Sequence, residues 1–255
     1  MERYCLWKNS QENSAVIECY KPLQKSNGIA ILIFPGGGYA RLSPHEGEGY
    51  VDLLNGFGIT AFVVKYRVAP NYFPLPLLDA RRAIRFVRAK AESFDIDKNK
   101  VLVMGSSAGG HLAALVSTYN KEIGEEDDEL RKEDFLPNGQ ILCYPVISAE
   151  ENILHADSYQ NLLGTAYKNK KKYSPELLIT NKTPPAFIWH TTTDKSVSCI
   201  NSIRYAEELW KKGVPCELHT FCEGAHGLGI ASQVSHVAQW TVLLKNWVNR
   251  YYLKE

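Results

Sequence analysis

The sequence predicts an α/β fold in which a mostly parallel central sheet is covered by helices on both faces. Short, continuously apolar segments rich in β-branched residues alternate with longer segments of helical periodicity. Such alternation is typical of buried strands joined by helical crossovers, and these crossovers make neighbouring strands parallel. The chain has 255 residues, of which 45% are hydrophobic, and this length is compatible with one large domain. We therefore predict a single domain over residues 1–255.

The predicted strands are short apolar runs that stop at glycine, proline or polar residues. In chain order they are residues 29–34, 59–67, 101–104, 141–146, 186–190 and 216–221. Between these runs, apolar residues recur on one side of a helical pattern while polar and charged residues occupy the rest. This pattern predicts helices at residues 76–94, 111–119, 198–212 and 234–251, with a shorter amphipathic stretch at 47–55.

Two segments lie outside this alternation. Residues 121–134 are dense in charge and are expected to form a solvated helix or loop. Residues 148–183 separate two predicted strands by far more than the usual connection of a few residues. Because insertions of such length are commonly lids or loops that contact the substrate, we predict that 148–183 is a lid or insertion within the domain.

Composition and charge argue against two classes of partner. Lys and Arg number 29 against 28 Asp and Glu, so the formal net charge of +1 gives no basic footprint for nucleic acid. No apolar run approaches the ~18 residues that span a bilayer. Charged and polar residues interrupt the first fifteen positions, where a signal peptide needs an unbroken apolar core. We expect a cytoplasmic protein without nucleic-acid or membrane partners.

The sequence also lacks the usual signatures of a metal site. Its six cysteines are scattered without a CxxC pair, which favours reduced thiols over a metal centre or a disulfide framework. Residues 45–49 resemble the zinc motif HExxH, but Gly49 stands where the second histidine ligand should be. We predict that the protein needs no metal ion and no other cofactor.

Residues 105–109, with the sequence GSSAG, match the motif G-x-S-x-G centred on Ser107. A predicted strand precedes the motif and a predicted helix follows it, which is the context of a nucleophile elbow. A serine at this strained corner projects its side chain above the edge of the sheet, while small neighbours prevent backbone clashes. The alternatives are a serine-rich helix cap or a phosphate-binding loop. The phosphate loop is excluded because His111 stands where its lysine is required.

A second glycine-rich loop, PGGGY at residues 35–39, follows the first apolar strand. Glycines allow backbone N–H groups to approach a substrate oxygen without an intervening side chain, as in an oxyanion hole. Alignment with the HGGG form makes Gly37 and Gly38 the candidate donors, joined by the N–H of Ala108 after the nucleophile. Pro35 stands where HGGG has histidine. A simple tight turn is the alternative interpretation of three glycines.

A nucleophilic serine needs a histidine base, and the hydrolase order of serine, acid and histidine places that base late in the chain. Of the seven histidines, His226 follows the last predicted strand on a loop flanked by glycines. His219 lies within that strand and His236 on the last predicted helix, so structural roles suit them better.

The acid that orients this histidine should follow the preceding strand. Asp194 occupies that position after residues 186–190. Glu223 is the rival carboxylate, but it lies only three residues from His226 on the same loop, which favours a supporting role. The inferred triad is Ser107, Asp194 and His226.

Seven segments together resemble the α/β-hydrolase superfamily, and within it the small acetyl-esterase and xylan-esterase-like branch related to hormone-sensitive-lipase-type esterases. They are PGGGY at 35–39, LSPHEGE at 42–48, YRVAP at 66–70, DARRAIRFVR at 79–88, MGSSAGGHLA at 104–113, HTTTDKSV at 190–197 and EGAHGLG at 223–229. The resemblance implies an α/β-hydrolase fold and a serine carboxylesterase that acts on short acyl groups, often acetylated sugars, through a covalent acyl-enzyme. The expected partner is a small-molecule ester.

Two other functions remain open at this point. An arylformamidase-like amidase resembles this branch and uses the same triad, and a binding protein could occupy the same fold without catalysis. A binding protein has no chemical need for both a nucleophile and its base, which argues against the second alternative. His45 and Glu46 lie near the oxyanion loop in sequence, where a pocket or loop-fixing role competes with simple loop polarity. The sequence leaves the oligomeric state open.

Overall fold

In the computed structural model, which describes residues 1–7, 14–124 and 128–253, eight strands form one sheet. The strands are β1 Glu2–Cys5, β2 Val16–Tyr20, β3 Ala30–Phe34, β4 Thr60–Lys65, β5 Val101–Ser106, β6 Gly139–Cys143, β7 Ala186–Thr191 and β8 Cys216–Phe221. Their spatial order is β1-β2-β4-β3-β5-β6-β7-β8. The pairs β1/β2 and β2/β4 are antiparallel and every other pair is parallel. The predicted fold class is confirmed.

Helices cover both faces of this sheet. They are α1 Val51–Gly56, α2 Leu75–Ala89, α3 Ala91–Phe94, α4 Ala108–Thr118, α5 Ala156–Leu163, α6 Ile200–Lys211, α7 Ser235–Ala238 and α8 Trp240–Val248. Among the helices of the described ranges, none has both the length and the apolar character that crossing a membrane requires.

The central strand β3 shows why the sheet is buried on both faces. All five of its residues are buried, and successive side chains of a strand point to opposite faces. Ala30, Leu32 and Phe34 therefore pack in one hydrophobic core with α2, α4 and α6. Ile31 and Ile33 pack in the other core with α1, α7 and α8. A continuous apolar run is thus the sequence that a strand between two helical layers requires.

The structure differs from the predicted elements at four places. The sequence does not predict strands β1 and β2, because β1 is a four-residue, largely exposed strand and β2 carries Glu18 in an otherwise apolar run. The helix predicted at 76–94 is divided at Lys90 into α2 and α3. The predicted strand 141–146 ends at Cys143, since Tyr144 has a positive φ of 37°. The last predicted helix is divided into α7, α8 and a π-helical turn, Asn249–Leu253.

The two segments outside the alternation also contain local structure. In the charge-dense run 121–134, Glu129–Lys132 forms a 3₁₀ turn, and residues 125–127 lie outside the described residues. Residues 148–183 contain α5 and the 3₁₀ helices Gly164–Tyr173 and Pro175–Leu178.

The segment 148–183 packs against α4, the helix that follows Ser107. The Nε2 atom of His111, on α4, lies 2.9 Å from the carbonyl oxygen of Tyr173. Its Nδ1 atom lies 2.9 Å from the hydroxyl of Tyr39, which follows the glycine-rich loop. Burial lowers the pKa of His111 to about 4, so near neutral pH its uncharged ring donates to Tyr173 and accepts from Tyr39. One buried imidazole therefore connects three segments that are remote in sequence.

Glu176 is a second buried titratable group in this segment, with 7% of its surface exposed. Burial raises the pKa of its carboxyl to about 7, against the weaker opposing effect of a hydrogen bond with Ser148. The carboxyl is therefore more easily ionised in the unfolded chain than in the folded protein.

The Glu176→Gln variant should gain stability relative to the wild type as the pH rises from 4.5 to about 7. The unfolded carboxyl loses its proton near pH 4.5 and the folded one near pH 7, so the stability that the protonated form confers is lost across this window. At ~1.4 kcal/mol per pKa unit, the difference in unfolding free energy should change by about 3 kcal/mol. Urea unfolding of both proteins at the two ends of the window measures it. If the difference in unfolding free energy between the two proteins were the same at pH 4.5 and at pH 7, the raised pKa of Glu176 would be contradicted.

Candidate active site

Ser107 occupies a strained corner between β5 and α4. Its backbone has φ 54° and ψ −120°, a conformation that non-glycine residues rarely adopt. Three backbone hydrogen bonds hold it there: its N–H donates to the carbonyl of Cys143, and its carbonyl accepts from the N–H groups of His111 and Val146, each at 3.0 Å. The surrounding structure therefore maintains the strain that points the hydroxyl away from the sheet.

The glycines of the motif are required by close backbone contacts. A Cβ atom at Gly109 would lie 2.0 Å from the carbonyl oxygen of Phe34, and one at Gly105 would lie 2.1 Å from the carbonyl oxygen of Gly109. Both distances are far below van der Waals contact, so any side chain would force β3, β5 and α4 apart. The pattern G-x-S-x-G thus has the steric cause that the sequence predicted.

The structure brings the three predicted triad residues into one line of hydrogen bonds. The Nε2 atom of His226 lies 2.8 Å from the Oγ atom of Ser107. The Nδ1 atom of the same ring lies 2.6 Å from the Oδ2 atom of Asp194. Since a carboxylate accepts the proton on Nδ1, Nε2 is left as the acceptor for the serine hydroxyl. The geometry is that of a base poised to deprotonate a nucleophile.

Asp194 has a fully buried side chain that is held on both oxygen atoms. Its Oδ1 atom accepts hydrogen bonds from the N–H groups of Ser196 and Val197 at 2.8 and 3.0 Å. Its Oδ2 atom faces His226 and also lies 3.3 Å from the Nε2 atom of His190. Burial alone would raise the pKa of Asp194, but hydrogen bonds from His190, His226 and Val197 outweigh it and hold the pKa well below its ordinary value. The carboxylate is therefore ionised whenever the protein is folded near neutral pH.

His190 was not singled out by the sequence, although it begins the segment HTTTDKSV. Its Nδ1 atom lies 2.7 Å from the hydroxyl of Ser202, and its Nε2 atom lies 3.0 Å from the carbonyl of Val197. Because Nε2 faces only acceptors, it carries the proton, and this proton is available to the carboxylate of Asp194 as well. Its position four residues before Asp194 is the one feature of the sequence that could have pointed to this contact.

The glycine-rich loop lines the same cavity as Ser107, through Gly37 and Gly38. Gly37 and Gly38 have positive φ angles of 121° and 66°, and a Cβ atom at Gly37 would lie 2.3 Å from the carbonyl oxygen of Arg41. Within the described residues, no acceptor binds the backbone N–H of Gly37, Gly38 or Ala108. The described part of the chain thus leaves these three backbone donors without a protein acceptor. Asn161 of α5 fixes the loop by donating to the carbonyl of Gly38 at 2.9 Å.

Pro35, at the position of the histidine in HGGG, is held in another way. The hydroxyl of Tyr66 donates to the carbonyl oxygen of Pro35 at 2.6 Å. Tyr66 is buried, and burial raises its pKa, so the phenol stays protonated and remains a donor. A tyrosine from the segment after β4 therefore supports the loop through its backbone.

A family model described as BD-FAE matches residues 17–209, about three quarters of the chain. The chain belongs to the BD-FAE family.

The relatives of this BD-FAE chain include an acetylxylan esterase and a xylanase. The acetylxylan esterase of Xylanibacter ruminicola is 36% identical over 246 residues, which cover 94% of this chain and 49% of the relative. Endo-1,4-beta-xylanase B of Butyrivibrio fibrisolvens is 36% identical over 79% of this chain and 33% of its own length. This chain therefore spans half or less of these two curated relatives.

Solved structures extend the similarity over nearly the whole chain. The acetyl ester-xyloside bifunctional hydrolase of Caldicellulosiruptor lactoaceticus is 39% identical, with a TM-score of 0.89 over 98% of this chain and 96% of that one. A thermophilic esterase, Est2, of Thermogutta terrifontis is 26% identical, with a TM-score of 0.82 over 98% and 94%. The resemblance to acetyl-esterase and xylan-esterase-like α/β hydrolases, inferred from the sequence, is confirmed.

An open cavity of about 420 Å³ in this BD-FAE domain is lined by Ser107 and His226. Residues 148–183 contribute His155, Asp157 and Asn161 to its wall. Arg41, which follows the glycine-rich loop, lies on the same wall. Most of the side chains that line the cavity are polar, so it suits a ligand rich in hydrogen-bonding groups.

His155 is a neutral donor in this cavity. It caps α5, where its Nδ1 atom accepts a hydrogen bond from the N–H of Ser158 at 3.3 Å. Burial and then the charge of His226 lower the pKa of His155, so the ring is uncharged near neutral pH. Since Nδ1 acts as an acceptor, the proton is on Nε2 and is free to be donated to a ligand.

The remaining candidate residues lie away from the triad or contact it indirectly. The side chain of Glu223 is 72% exposed and pairs at 3.9 Å with His236, so the expectation that it supports His226 was wrong. Glu46, by contrast, is buried against the cavity, where its carboxylate accepts a hydrogen bond from the hydroxyl of Tyr144 at 2.7 Å. The sequence had left the role of Glu46 open because its partner lies 98 residues away.

Proposed function

We propose that the protein is a serine carboxylesterase that hydrolyses short-chain acyl esters, principally acetyl esters of sugars. The observation that carries this proposal is the hydrogen-bonded line from Asp194 through His226 to Ser107 beneath a polar cavity. The similarity to an acetylxylan esterase and to an acetyl ester-xyloside hydrolase supports the choice of substrate.

In the acylation step, the Oγ atom of Ser107 attacks the ester carbonyl while Nε2 of His226 accepts the hydroxyl proton. The buried carboxylate of Asp194 keeps the ring in the tautomer that can accept it and stabilises the imidazolium that forms. The N–H groups of Gly37, Gly38 and Ala108 donate to the oxyanion of the tetrahedral intermediate. Preorganised donors of this kind commonly contribute a factor of about 10² to 10³ each.

Collapse of this intermediate breaks the bond to the alcohol, which leaves with the proton that His226 held. A water molecule then attacks the acyl group on Ser107, and His226 accepts a proton from that water. As the bond between the acyl carbon and Oγ breaks, His226 gives that proton to the Oγ atom of Ser107, so the carboxylic acid leaves and both the serine hydroxyl and the neutral base are restored. The residues of the chain thus suffice for turnover.

We further propose that residues 148–183 shape the part of the cavity that receives the alcohol. His155, Asp157 and Asn161 place a neutral donor, a carboxylate and an amide on one wall, and Arg41 adds a cation. Sugar hydroxyl groups both donate and accept, so they can be satisfied by such a mixed set, whereas an alkyl chain cannot.

The enzyme should prefer acetyl esters over longer acyl chains. A long chain needs a continuous apolar channel, because each buried CH₂ contributes only ~0.8 kcal/mol and one unsatisfied polar neighbour costs more. We expect kcat/KM for p-nitrophenyl acetate to exceed that for the butyrate, and the octanoate to be poorest. A rise toward the octanoate would contradict the short-acyl proposal and favour a lipase-like site.

The choice between esterase, amidase and binding protein is tested by one turnover panel on the purified protein. It contains acetylated xylose and xylo-oligosaccharides, p-nitrophenyl acetate and N-formylkynurenine. The proposal expects acetate release from the sugars and the aryl ester. Faster turnover of N-formylkynurenine would favour the amidase, while binding of acetylated sugars without turnover of any substrate would favour the binding protein.

A further inference from the structure

We propose that Glu46 and Tyr144 form a positioning pair that fixes the loop carrying His226 against the oxyanion loop. This inference rests on the proposed esterase function for its catalytic consequence. Neither residue contacts the reacting atoms, so both act through the placement of His226.

The pair begins with a buried carboxylate. Glu46 ends the 3₁₀ turn Pro44–Glu46, shortly after the glycine-rich loop, and only 3% of its surface is exposed. Its Oε1 atom accepts a hydrogen bond of 2.7 Å from the hydroxyl of Tyr144. Because bonds to a carboxylate are stronger than those between neutral groups, this contact fixes the position of the phenol.

The phenol of Tyr144 in turn holds the loop that carries His226. The hydroxyl of Tyr144 accepts a hydrogen bond of 3.0 Å from the backbone N–H of Gly229, three residues after His226. The ring of Tyr144 also packs edge-on against the imidazole of His226, with centroids 5.1 Å apart and an interplanar angle of 72°. One side chain therefore contacts both the base and the backbone that follows it.

The loop needs such a contact because it is rich in glycine. Gly227 and Gly229 have φ angles of 79° and 57°, a region that glycine visits freely and that gives the loop little intrinsic stiffness. His45 adds a second connection between the same two loops, since its Nε2 atom donates to the carbonyl of Gly227 at 3.0 Å. That ring is largely exposed, so the buried pair is the stronger of the two.

The hydroxyl groups of Ser106, Tyr50 and Tyr144 form a chain of hydrogen bonds that leads to Glu46, and each hydroxyl can donate to the next group along it. Tyr144 donates to Glu46, so it accepts at 3.3 Å from the hydroxyl of Tyr50, which lies 2.7 Å from the Oγ atom of Ser106. Burial, and then the charge of Glu46, raise the pKa of Tyr144 well above its ordinary value, so the phenol stays protonated. The carboxylate of Glu46 thus terminates a chain that begins at the residue before the nucleophile.

The test compares the wild type with Tyr144→Phe, Glu46→Ala, the double variant and Glu46→Gln. Tyr205→Phe is the matched control, because it also removes a buried phenol hydroxyl, one that donates to Gln140 at 2.9 Å away from the site. Steady-state kinetics with p-nitrophenyl acetate and the rate of labelling by a fluorophosphonate report on His226. Hydrogen–deuterium exchange of residues 224–231 reports on the loop without any need for activity.

Tyr144→Phe and Glu46→Ala should each lower kcat by about 10- to 100-fold, since a displacement of about 1 Å at a catalytic group has effects of this size. KM for this small ester should change little in Tyr144→Phe.

The double variant should be no slower than the slower single variant, because both substitutions remove the same connection. Glu46→Gln keeps an acceptor and should restore kcat to within about threefold of the wild type. Residues 224–231 should exchange faster in Tyr144→Phe and Glu46→Ala but not in Tyr205→Phe.

Wild-type exchange rates at residues 224–231 in Tyr144→Phe would overturn the inference, whatever the activity. So would losses in kcat that multiply in the double variant, since they would mean that the two residues act separately. If the wild type itself neither hydrolysed esters nor reacted with the fluorophosphonate, the proposed function would fail, and the exchange measurement would still decide whether the pair holds the loop.

Discussion

Ser107→Ala should lower ester hydrolysis by about 10⁶-fold in kcat and abolish covalent labelling by a fluorophosphonate. The hydroxyl of Ser107 is the group that His226 contacts at 2.8 Å, and no acyl-enzyme can form without it. The backbone at this corner is held by contacts of main-chain atoms with Cys143, His111 and Val146, which alanine retains. The variant should therefore stay folded.

Intact mass spectrometry after inhibitor treatment checks this prediction, together with circular dichroism to confirm folding. Ser117→Ala is a matched control, since Ser117 is also a buried serine of the same region and bonds only within α4, to the carbonyl of Ala113 at 2.7 Å. The control should label at the wild-type rate. A covalent adduct on Ser107→Ala would mean that another residue is the nucleophile.

The sheet centre and the nucleophile corner could be predicted because their causes are local. Strand β5 is apolar over Val101–Met104, as a strand buried on both faces must be. Glycine is required at 105 and 109 because a Cβ atom there would lie only 2.1 or 2.0 Å from a carbonyl oxygen. Each of these requirements leaves a signature in a few consecutive residues. The hydrolase order of serine, acid and histidine then predicts Asp194 and His226 as the other two members of the triad.

The features that the sequence did not predict depend on contacts between residues far apart in the chain. Asn161 donates to the carbonyl of Gly38 in the glycine-rich loop from 123 residues away, and Tyr144 donates to Glu46 from 98 residues away. Neither hydrophobic periodicity nor a sequence motif predicts such contacts. The division of the predicted helix at Lys90 likewise carries no proline or glycine signal. The single-domain organisation, the lid role of residues 148–183 and the cytoplasmic location stay predictions.

Asp194→Asn should lower kcat by about 10³- to 10⁴-fold, with little change in the fold. An asparagine amide can donate to Nδ1 of His226, which would move the ring proton to Nε2 and block that atom as a base. The variant would also lose the negative charge that stabilises the imidazolium. The serine hydroxyl is retained, so labelling by a fluorophosphonate should become slow yet still reach completion, unlike that of Ser107→Ala.

Glu223→Gln is the discriminating control, because Glu223 is the other carboxylate near His226 in sequence. Its side chain is 72% exposed and contacts His236, so this substitution should leave kcat within about twofold of the wild type. The initial rate and the end point of labelling, measured for both variants, separate the two carboxylates. Suppose that Glu223→Gln lost about 10³- to 10⁴-fold in kcat and that Asp194→Asn kept its activity. The carboxylate that orients His226 would then be Glu223. The buried hydrogen bonds of Asp194 with His190, Ser196 and Val197 would then have only a structural role.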